Sequence, residues 1–408
     1  MIGAGPAGSS AAILLAQGGW RVSIVEQHPY PRAKVCGGCI AAGNFSLLDE
    51  LGVGDSARRL AGAELTRVGW MRADTTLTAD MPPCIDNPDR FGRALSRDVF
   101  DELLMDRAAA AGVRVFQPAR VRKVSGRPGN FHCEAESAGL PGTRTPRRSV
   151  LSASLIIDAH GSWERAPQFD VVGERSRPQR TTHRDSDLFA FKATFERAAL
   201  SSGLLPVVAL DGGYGGIVVG KAGSTTVALC MRRDKLRELR LRSRGLAAAV
   251  VVEAYLRESC RGIREALRGS QRKGSWLTVG PLQPGMRSHE AAGLFRVGNA
   301  SGESHPLIGE GISMALQSSK LLVGILQSHA GRVTDTRVLS ATHDSYNRAW
   351  KKAFLPRLRF ASLYAHTAMR PPLAASVEAW LKRRPSALTT AARLAGKARG
   401  TIIFPELR

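Results

Sequence analysis

The chain of 408 residues is long enough for two domains or for one large domain. Its 43% hydrophobic and 23% charged residues are typical of an ordinary globular protein, which argues against disordered and collagen-like classes. Lys and Arg (58) exceed Asp and Glu (35), giving a net charge of +23 that would attract nucleic acid, anionic lipid or acidic substrates. Only 11 of the cations are Lys, and the rest are Arg. Because a GC-rich coding sequence also gives an Arg-rich, Lys-poor chain, it explains the excess of positive charge equally well.

The sequence carries no signal for a membrane span or a secretory leader. It contains no stretch of about 18 apolar residues, and its start lacks a charged region and a cleavage site. Six cysteines are too few for a disulfide scaffold of this length. We therefore expect a cytoplasmic protein in a reducing compartment.

A glycine-rich motif, Gly3-Ala4-Gly5-Pro6-Ala7-Gly8, opens the sequence. An apolar run over 9–17 predicts a helix, and the alternating run 21–26 predicts a strand that ends on an acid. This order is typical of a dinucleotide site, where the glycines form the tight turn, admit the pyrophosphate and let helix and strand pack. The helix N-terminus attracts phosphate, and the acid accepts hydrogen bonds from the ribose. We predict an adenine dinucleotide held by Gly3, Gly5, Pro6, Ala7, Gly8 and Glu26.

The strand that should precede this turn is short, because only Met1 and Ile2 stand before Gly3. A parallel strand usually has about 5–6 residues. The sequence therefore predicts a truncated or misassigned start, with a cost to the sheet centre and to dinucleotide binding.

A second motif predicts which dinucleotide is bound. A strand-like run ends at Asn299, and after Pro306 comes Gly309-Glu310-Gly311-Ile312 with an apolar helix. This region resembles the second flavin motif of the FAD-dependent monooxygenase and geranylgeranyl reductase superfamily. The resemblance implies that Gly309, Gly311 and Ile312 face the isoalloxazine, where a helix N-terminus stabilises the anionic reduced ring. Asn299 replaces the family's aspartate at the ribityl chain, and its amide oxygen can still accept a hydrogen bond.

Three further segments extend the resemblance. It implies a contact to the FAD phosphates or ribityl chain at Arg97 and a backbone contact to adenine at Val121. Residues 155–162 resemble the strand-end segment beneath the flavin, with the acid shifted by one position. The loop 31–39 resembles a P-x-x-K-x-C-G-G loop beside the isoalloxazine, which implies cofactor contacts by Arg32, Cys36 and Gly37.

Cys36 and Cys39 also fit a redox C-x-x-C pair. Flavin disulfide reductases carry a second dinucleotide-binding repeat, whereas in the nearest candidate, residues 212–216, Val218 stands where the third glycine would fall. Zinc is disfavoured because no second C-x-x-C or paired histidines support it. We predict no metal site.

The predicted fold is α/β, with a discontinuous Rossmann-like FAD-binding domain, an antiparallel β-sheet substrate domain and a helical C-terminal segment. Residues 1–66, 94–165 and 280–330 are assigned to the FAD-binding domain, and 67–93 and 166–279 to the sheet. The run Gly212–Gly216 is interpreted as a hairpin or tight turn, with Tyr214 more often a turn aromatic than a pocket residue. Residues 331–408 form a basic helical segment interleaved with aromatic and apolar residues, which suits a solvated face or peripheral membrane contact. No nucleic-acid-binding pattern appears.

The resemblance implies an FAD-dependent oxidoreductase, with NAD(P)H as a transient electron donor. The favoured reaction is monooxygenation of an aromatic or lipid-like secondary metabolite, with His305 as the first catalytic candidate and His160 as the second. The alternatives are an alkene reductase of the geranylgeranyl type and a catalytically impaired flavin-binding protein. A halogenase is disfavoured because the W-x-W-x-I-P segment of tryptophan halogenases is absent.

Overall fold

The computed structural model describes residues 1–137, 147–171, 183–287, 291–332 and 335–400. Its α-helices in this part of the chain are α1 (Pro6–Gln17), α2 (Phe45–Glu50), α3 (Gly54–Leu60), α4 (Arg97–Ala110), α5 (Arg233–Arg242), α6 (Ala248–Ser259), α7 (Arg261–Ala266), α8 (Gly311–Gln327), α9 (Thr336–Ala368), α10 (Pro371–Arg383) and α11 (Ala387–Leu394).

The strands occur in three larger groups and several short pairs. They are β1 (Ser23–Val25), β2 (Cys39–Ile40), β3 (Arg67–Arg72), β4 (Thr75–Asp80), β5 (Arg93–Ala94), β6 (Arg114–Phe116), β7 (Ala119–Arg127), β8 (Asn130–Ser137), β9 (Arg147–Ala153), β10 (Ile156–Asp158), β11 (Gln168–Val171), β12 (Leu188–Glu196), β13 (Leu204–Leu210), β14 (Gly213–Val219), β15 (Thr225–Arg232), β16 (Gln271–Leu282), β17 (Gly285–Met286), β18 (Leu294–Arg296) and β19 (Gly302–Glu303).

A parallel sheet forms the centre of the N-terminal half. Strand β1 pairs with β6, and β10 pairs with β18. Ile2 joins the two pairs, because it forms parallel bridges with Val25 on one side and with Asp158 on the other. Helices α1, α4 and α8 pack on this sheet and bury one large apolar core.

A four-stranded sheet in the order β11-β7-β8-β9 lies beside the parallel sheet. Strand β11 pairs in parallel with β7, from Gln168 opposite Lys123 to Val171 opposite Gly126. Residues 168–171 therefore extend the sheet of the FAD-binding half, whereas the sequence assigned them to the substrate domain. The domain boundary itself stays a prediction, because periodicity does not report the tertiary pairing that sets the partner of a strand.

Seven strands form the second half of the molecule, in the order β16-β12-β15-β14-β13-β3-β4. All neighbours are antiparallel except β13 and β3. The run Gly212–Gly216 lies in a hairpin, one of the two interpretations made from the sequence, but the turn itself is only Asp211–Gly212: Leu210 pairs with Gly213, and Gly213 begins β14. The predicted α/β class, with a Rossmann-like half, a β-sheet half and C-terminal helices, is confirmed.

The C-terminal helices pack on both halves. Helix α9 runs along α8, and α11 contacts strands β3 and β4. Arg408 and the apolar residues 402–404 of the basic segment lie outside the described residues. In the part of the chain that the structure describes, no helix is both long and apolar enough to span a bilayer.

Candidate cofactor and substrate site

One cavity of about 340 Å³ runs between the parallel sheet and the seven-stranded sheet. The loops that follow β1, β10 and β18 open into it, which is where ligands bind in open α/β sheets. It is lined by nearly all the residues that the sequence singled out: Gly3, Gly5, Pro6, Ala7, Glu26, Arg32, Cys36, Gly37, Arg97, Val121, His160, Asn299, Gly309, Gly311 and Ile312. Gly8 and His305 do not line the cavity but lie behind the residues that do. The structure thus brings these residues together, and the role of each stays a prediction.

The turn into α1 is shaped by the motif glycines. Gly3 adopts a φ of +91°, which a side chain would strain. A Cβ on Gly8 would lie 2.0 Å from the carbonyl oxygen of Gly3, so the helix can approach the turn only without a side chain. At Gly5 the surroundings are open, and the first atoms that a Cβ would meet are Arg97 Nη2 at 3.8 Å and Lys34 Nζ at 3.9 Å. Two cations therefore face the N-terminus of α1 across a small gap.

These cations are oriented by one buried carboxylate. Arg97 donates from Nε and Nη2 to the two oxygens of Asp101 at 2.6 and 2.7 Å, and Lys34 Nζ lies 2.9 Å from the same carboxylate. Burial alone would raise the pKa of Asp101, but the two cations hold it below its usual value. A net positive charge remains, and it meets the free N–H groups of α1. This donor set fits a diphosphate.

Glu26 closes the other side of the dinucleotide pocket. Its Oε2 accepts from the backbone N–H of Ala4 at 2.8 Å, and its Oε1 accepts from that of His28 at 3.0 Å. Both bonds fix the carboxylate at the end of β1, where each oxygen keeps a lone pair for a ribose hydroxyl. The expected ribose contact is therefore geometrically available.

The flavin end of the cavity is formed by Asn299 and the N-terminus of α8. Asn299 donates from Nδ2 to the hydroxyl of Ser162 at 3.1 Å, and no hydrogen bond to its Oδ1 occurs within the described residues. The amide oxygen is thus available as an acceptor, the function that the family's aspartate would serve. Gly309 and Gly311 line the cavity at the start of α8, a 17-residue helix. These residues fit the ribityl chain and the isoalloxazine of FAD.

His160 is held by an internal ion pair. Its Nδ1 lies 2.6 Å from Asp158 Oδ1, and Arg296 Nε lies 3.1 Å from the other oxygen of that carboxylate. Burial would raise the pKa of Asp158, but His160 and Arg296 hold it far below its usual range. Arg32 is similarly engaged, with Nη2 2.8 Å from Glu164. Both residues line the cavity, and their ion pairs give them a structural role in addition to any contact with cofactor.

The substrate side of the cavity is apolar except at one corner. Tyr214 on β14 is 1% exposed, and its hydroxyl lies 3.0 Å from Nδ1 of His305. Burial and the neighbouring His366 lower the pKa of His305 to about 4, so the ring is neutral at physiological pH. His366, whose ring centre is 5.8 Å from that of His305, is exposed on α9. The apolar lining comes from Trp70, Ala190, Leu205, Pro206, Leu388, Ala391, Ala392 and Ala395.

A buried carboxyl group adjoins this corner. Glu303 is 3% exposed, accepts from Ser162 Oγ at 2.9 Å and from the N–H of Gln283 at 3.2 Å, and lies 3.5 Å from Arg287. Burial raises its pKa against the opposing effect of Arg287. The cavity thus combines an apolar wall with two lining groups that can move a proton, the Tyr214 phenol and the Glu303 carboxyl, and the His305 imidazole lies behind the phenol.

Sequence reasoning missed several of these residues. Lys34 was interpreted only as part of a loop. Its position two residues before Cys36, in the loop that resembles a flavin-associated one, could have indicated a cofactor contact. Glu303 lies within the second flavin motif and was not singled out. Lys192, buried on β12 with a pKa lowered by burial, had no sequence signal, because a single cation in an apolar strand gives no indication of what it faces.

The two cysteines of the C-x-x-C pair line the cavity as free thiols. Burial raises the pKa of Cys39 to about 11, which works against thiolate formation. The backbone N–H of Gly38 donates to Cys36 Sγ at 3.4 Å. This geometry favours the interpretation of the loop as a wall of the flavin site over that of a dithiol centre.

Comparisons with known proteins agree with the site. Residues 1–173 match the family of the FAD binding domain. The chain is 24% identical over 374 residues to tryptophan 2-halogenase of Chondromyces crocatus (87% of this chain, 65% of that protein). It is 34% identical over 135 residues to kynurenine 3-monooxygenase of Xanthomonas oryzae pv. oryzae (30% of this chain, 28% of that protein). The matches thus span less than two thirds of the length of these curated relatives.

Solved structures share the fold over the whole chain. The flavin-dependent halogenase CmlS superposes with a TM-score of 0.68 at 20% identity, covering 100% of this chain and 73% of that one. A geranylgeranyl bacteriochlorophyll reductase-like protein of Thermoplasma acidophilum gives 0.68 at 17% identity (99% and 92%). The p-nitrophenol 4-monooxygenase PnpA of Pseudomonas putida also gives 0.68, at 15% identity (98% and 98%). Residues 1–173 therefore match an FAD binding domain, and the whole chain shares its fold with these flavin-dependent and reductase-like proteins.

Proposed function

We propose that the protein is a monooxygenase, driven by NAD(P)H, that hydroxylates an apolar aromatic or lipid-like secondary metabolite. The observation that carries this proposal is Tyr214, which lines the cavity among apolar residues and whose hydroxyl is bonded to a buried, neutral His305. An aromatic ring is activated for attack when its own hydroxyl is deprotonated. The Tyr214–His305 pair offers a hydrogen-bond partner for the substrate hydroxyl and a route by which its proton can leave.

When bound, FAD supplies the redox chemistry, taking two electrons from the nicotinamide donor and passing them to oxygen. The residues of the chain position the substrate and handle its proton. Trp70 and the alanines of α11 hold the apolar part of the substrate against the cavity wall, which excludes water from the reacting ring. Tyr214 accepts the substrate proton while donating its own to Nδ1 of His305. His366 lies between His305 and solvent, where the proton is released.

The test is aerobic turnover of the FAD-loaded protein with NADPH or NADH and a panel of alkyl phenols. We expect substrate-stimulated oxygen uptake and a product heavier by one oxygen atom. Because halogenases are among the proteins that this chain resembles, the assay is run with chloride, with bromide and with neither. A halogenated product would replace the proposal with a halogenase. Alkene reduction without oxygen uptake would favour the geranylgeranyl reductase type, and full FAD binding with no turnover would favour an impaired flavoprotein.

Tyr214→Phe is expected to lower kcat about 100-fold, because it removes the group that exchanges a proton with the substrate. The loss should be smaller at high pH, where the phenolic substrate ionises by itself. Tyr364→Phe is the matched control, since Tyr364 also lines the cavity and no hydrogen bond of its hydroxyl occurs within the described residues. Steady-state kinetics from pH 6 to 10 check both variants. Equal activity of Tyr214→Phe and wild type at every pH would remove Tyr214 from the mechanism.

We further propose that the protein is cytoplasmic and contacts an anionic bilayer through its C-terminal helices. Four large apolar side chains are exposed there, at 65% for Leu363, 44% for Leu373, 52% for Trp380 and 62% for Leu394. Basic side chains accompany them on the same helices, and no carboxylate within the described residues pairs with them: Arg359, Arg370, Arg383, Arg384 and Arg393. This combination suits an interfacial surface. The inner face of α11 lines the cavity, so an apolar substrate would have a short path from the bilayer.

The double variant Leu373→Ser, Trp380→Ser is expected to lower co-sedimentation with phosphatidylcholine vesicles containing 30% phosphatidylglycerol by at least fivefold. Both residues are exposed on α10, so FAD content should not change. Val150→Ser, an exposed apolar residue on β9, is the control and should bind as wild type. Wild-type protein that stays in solution with these vesicles at low salt would contradict the proposal.

A further inference from the structure

A second, much smaller cavity lies behind the flavin-facing turn, at the junction of α8, α9 and the end of α11. Its volume is about 10 Å³, room for a single particle of about the size of a water molecule. It shares no lining residue with the large cavity. The residues that line it are Ala41, Gly43, Asn44, Glu310, Ser313, Gln317, Arg357, Gly396 and Arg399.

The guanidinium of Arg357 dominates this cavity. The side chain is only 7% exposed, yet its Nε and Nη2 have no hydrogen-bond partner in the part of the chain that the structure describes. Only Nη1 is engaged, donating to Glu310 Oε2 at 3.1 Å and to Gln317 Oε1 at 2.8 Å. Buried donors of a charged group are costly to leave unpaired, so these two N–H groups indicate a ligand that accepts hydrogen bonds.

The polar side chains around Arg357 bond mostly to one another. Most of their acceptor atoms are occupied in these bonds, whereas some donor groups keep a free hydrogen. Gln317 donates to Asn44 Oδ1 at 3.2 Å, and Asn44 donates to Ser313 Oγ at 2.9 Å. The chain therefore ends on the Ser313 hydroxyl, which has accepted one bond and keeps its own hydrogen to donate. The remaining oxygen of Glu310, Oε1, lies against Gly396. The cavity is thus lined by Arg357, with two N–H groups unpaired within the described residues, and by Ser313, whose hydroxyl keeps its hydrogen.

The charge balance favours an anion over a water molecule. Arg357 and Glu310 neutralise each other, and Arg399, whose charge acts on Arg357, adds a second cation at the wall. A monatomic anion accepts from all three donors at once, and the second cation at the wall favours an anion over a neutral water molecule. We propose that this cavity binds a single halide ion, held by Nε and Nη2 of Arg357 and by the hydroxyl of Ser313.

A halide bound in this small cavity would affect FAD binding because the cavity adjoins the turn that faces the flavin. Glu310 stands between Gly309 and Gly311, which line the flavin end of the large cavity, and its carboxylate is tied to Arg357 on α9. A halide that satisfies Arg357 therefore stabilises the ion pair that fixes this turn. By linkage, chloride should strengthen FAD binding, and FAD should strengthen chloride binding by the same factor. This inference does not depend on which reaction the protein catalyses.

Crystals of the FAD-bound protein grown or soaked in sodium bromide test the site directly. We expect an anomalous bromide peak within hydrogen-bonding distance of Arg357 Nε and Nη2. In solution, the Tm and the Kd for FAD are measured in sodium chloride against sodium gluconate at equal ionic strength. Chloride should raise the Tm in a saturable manner and lower the Kd for FAD about threefold or more.

Arg357→Gln should lose the chloride effects on the Tm and on the Kd for FAD, whereas Arg359→Gln, an exposed arginine on the same helix, should keep them. Arg357→Lys retains the charge without the paired donors and should lose most of the effect as well. The bromide experiment uses the wild-type protein, so it remains decisive if the Arg357 variants do not fold. Bromide found only on the surface, together with a Tm that follows ionic strength alone, would overturn the proposal.

Discussion

Gly5→Ala should weaken FAD binding at least tenfold while leaving the fold intact. Gly5 has an ordinary φ of −66°, and a methyl group there meets nothing closer than 3.8 Å, so the FAD-free protein accommodates it. The methyl group would nevertheless stand between the N-terminus of α1 and the Arg97 and Lys34 cations, where the diphosphate has to lie. A tenfold loss corresponds to about 1.4 kcal/mol. Flavin fluorescence titration of the FAD-free protein measures it.

Gly8→Ala provides the contrast at the third glycine of the same motif. Its methyl carbon would lie 2.0 Å from the carbonyl oxygen of Gly3, and that oxygen belongs to the backbone of the turn, which cannot move away locally. We expect loss of folded protein or a large fall in Tm, with or without FAD. A Gly8→Ala variant with the wild-type Tm, or a Gly5→Ala variant with the wild-type Kd, would show that the turn is arranged otherwise.

Asp101→Asn should lower the free energy of unfolding of the FAD-free protein by about 3–5 kcal/mol, the usual cost of removing one partner of a buried ion pair. Asp101 is fully buried, and among the described residues it is the carboxylate that pairs with both Arg97 and Lys34. Its removal leaves two neighbouring cations facing each other. Bound FAD brings two phosphate charges to the same cations, so FAD should raise the Tm of the variant more than that of wild type. Calorimetry with and without FAD measures both shifts.

The same carboxylate predicts a pH dependence of stability. Because the pKa of Asp101 is lower in the folded than in the unfolded chain, its contribution is complete above the unfolded value of about 4 and is lost as the pH falls through the folded value. Wild type should therefore lose stability relative to Asp101→Asn on acidification below about pH 4. Asp106→Asn, at an exposed position on the same helix, is the control and should change stability by less than about 0.5 kcal/mol. A constant difference between wild type and Asp101→Asn down to pH 2 would contradict the assignment.

The sequence was sufficient for the dinucleotide half because its information is local. The G-x-G-x-x-G turn, its helix and the acid at the end of β1 follow one another within 26 residues, and each has a backbone requirement that limits the choice of residue. The second flavin motif is similarly compact. These residues line one cavity even though Gly5 and Gly311 are 306 positions apart.

The structure of the substrate half was harder to predict from the sequence, for physical reasons. Glycines usually indicate turns, but Gly213, Gly215 and Gly216 lie in β14, where the absence of side chains lets neighbouring strands approach closely. The Tyr214 side chain consequently lines the cavity, whereas the sequence favoured a turn aromatic over a pocket residue at this position. The sequence predicts a catalytic His305 beside the flavin-facing helix, which stays a prediction, and only the fold shows that His305 bonds Tyr214 and does not itself line the cavity. Pairings between distant segments, such as β11 with β7, produce no periodic pattern in the sequence from which they could be predicted.

The cavity wall contributed by α11 has a consequence for synthesis of the protein on the ribosome. The nucleotide turn is made from the first residues of the chain, the flavin-facing helix begins at Gly311, and the substrate wall includes Ala391 and Ala395. Contacts between segments so far apart form late, because their loop-closure entropy must be overcome first. The nascent chain can therefore acquire a flavin pocket only after α8 has emerged. It can enclose a substrate only after α11 has also emerged, so a translation pause between the two helices would leave a flavin-competent chain that has no substrate wall.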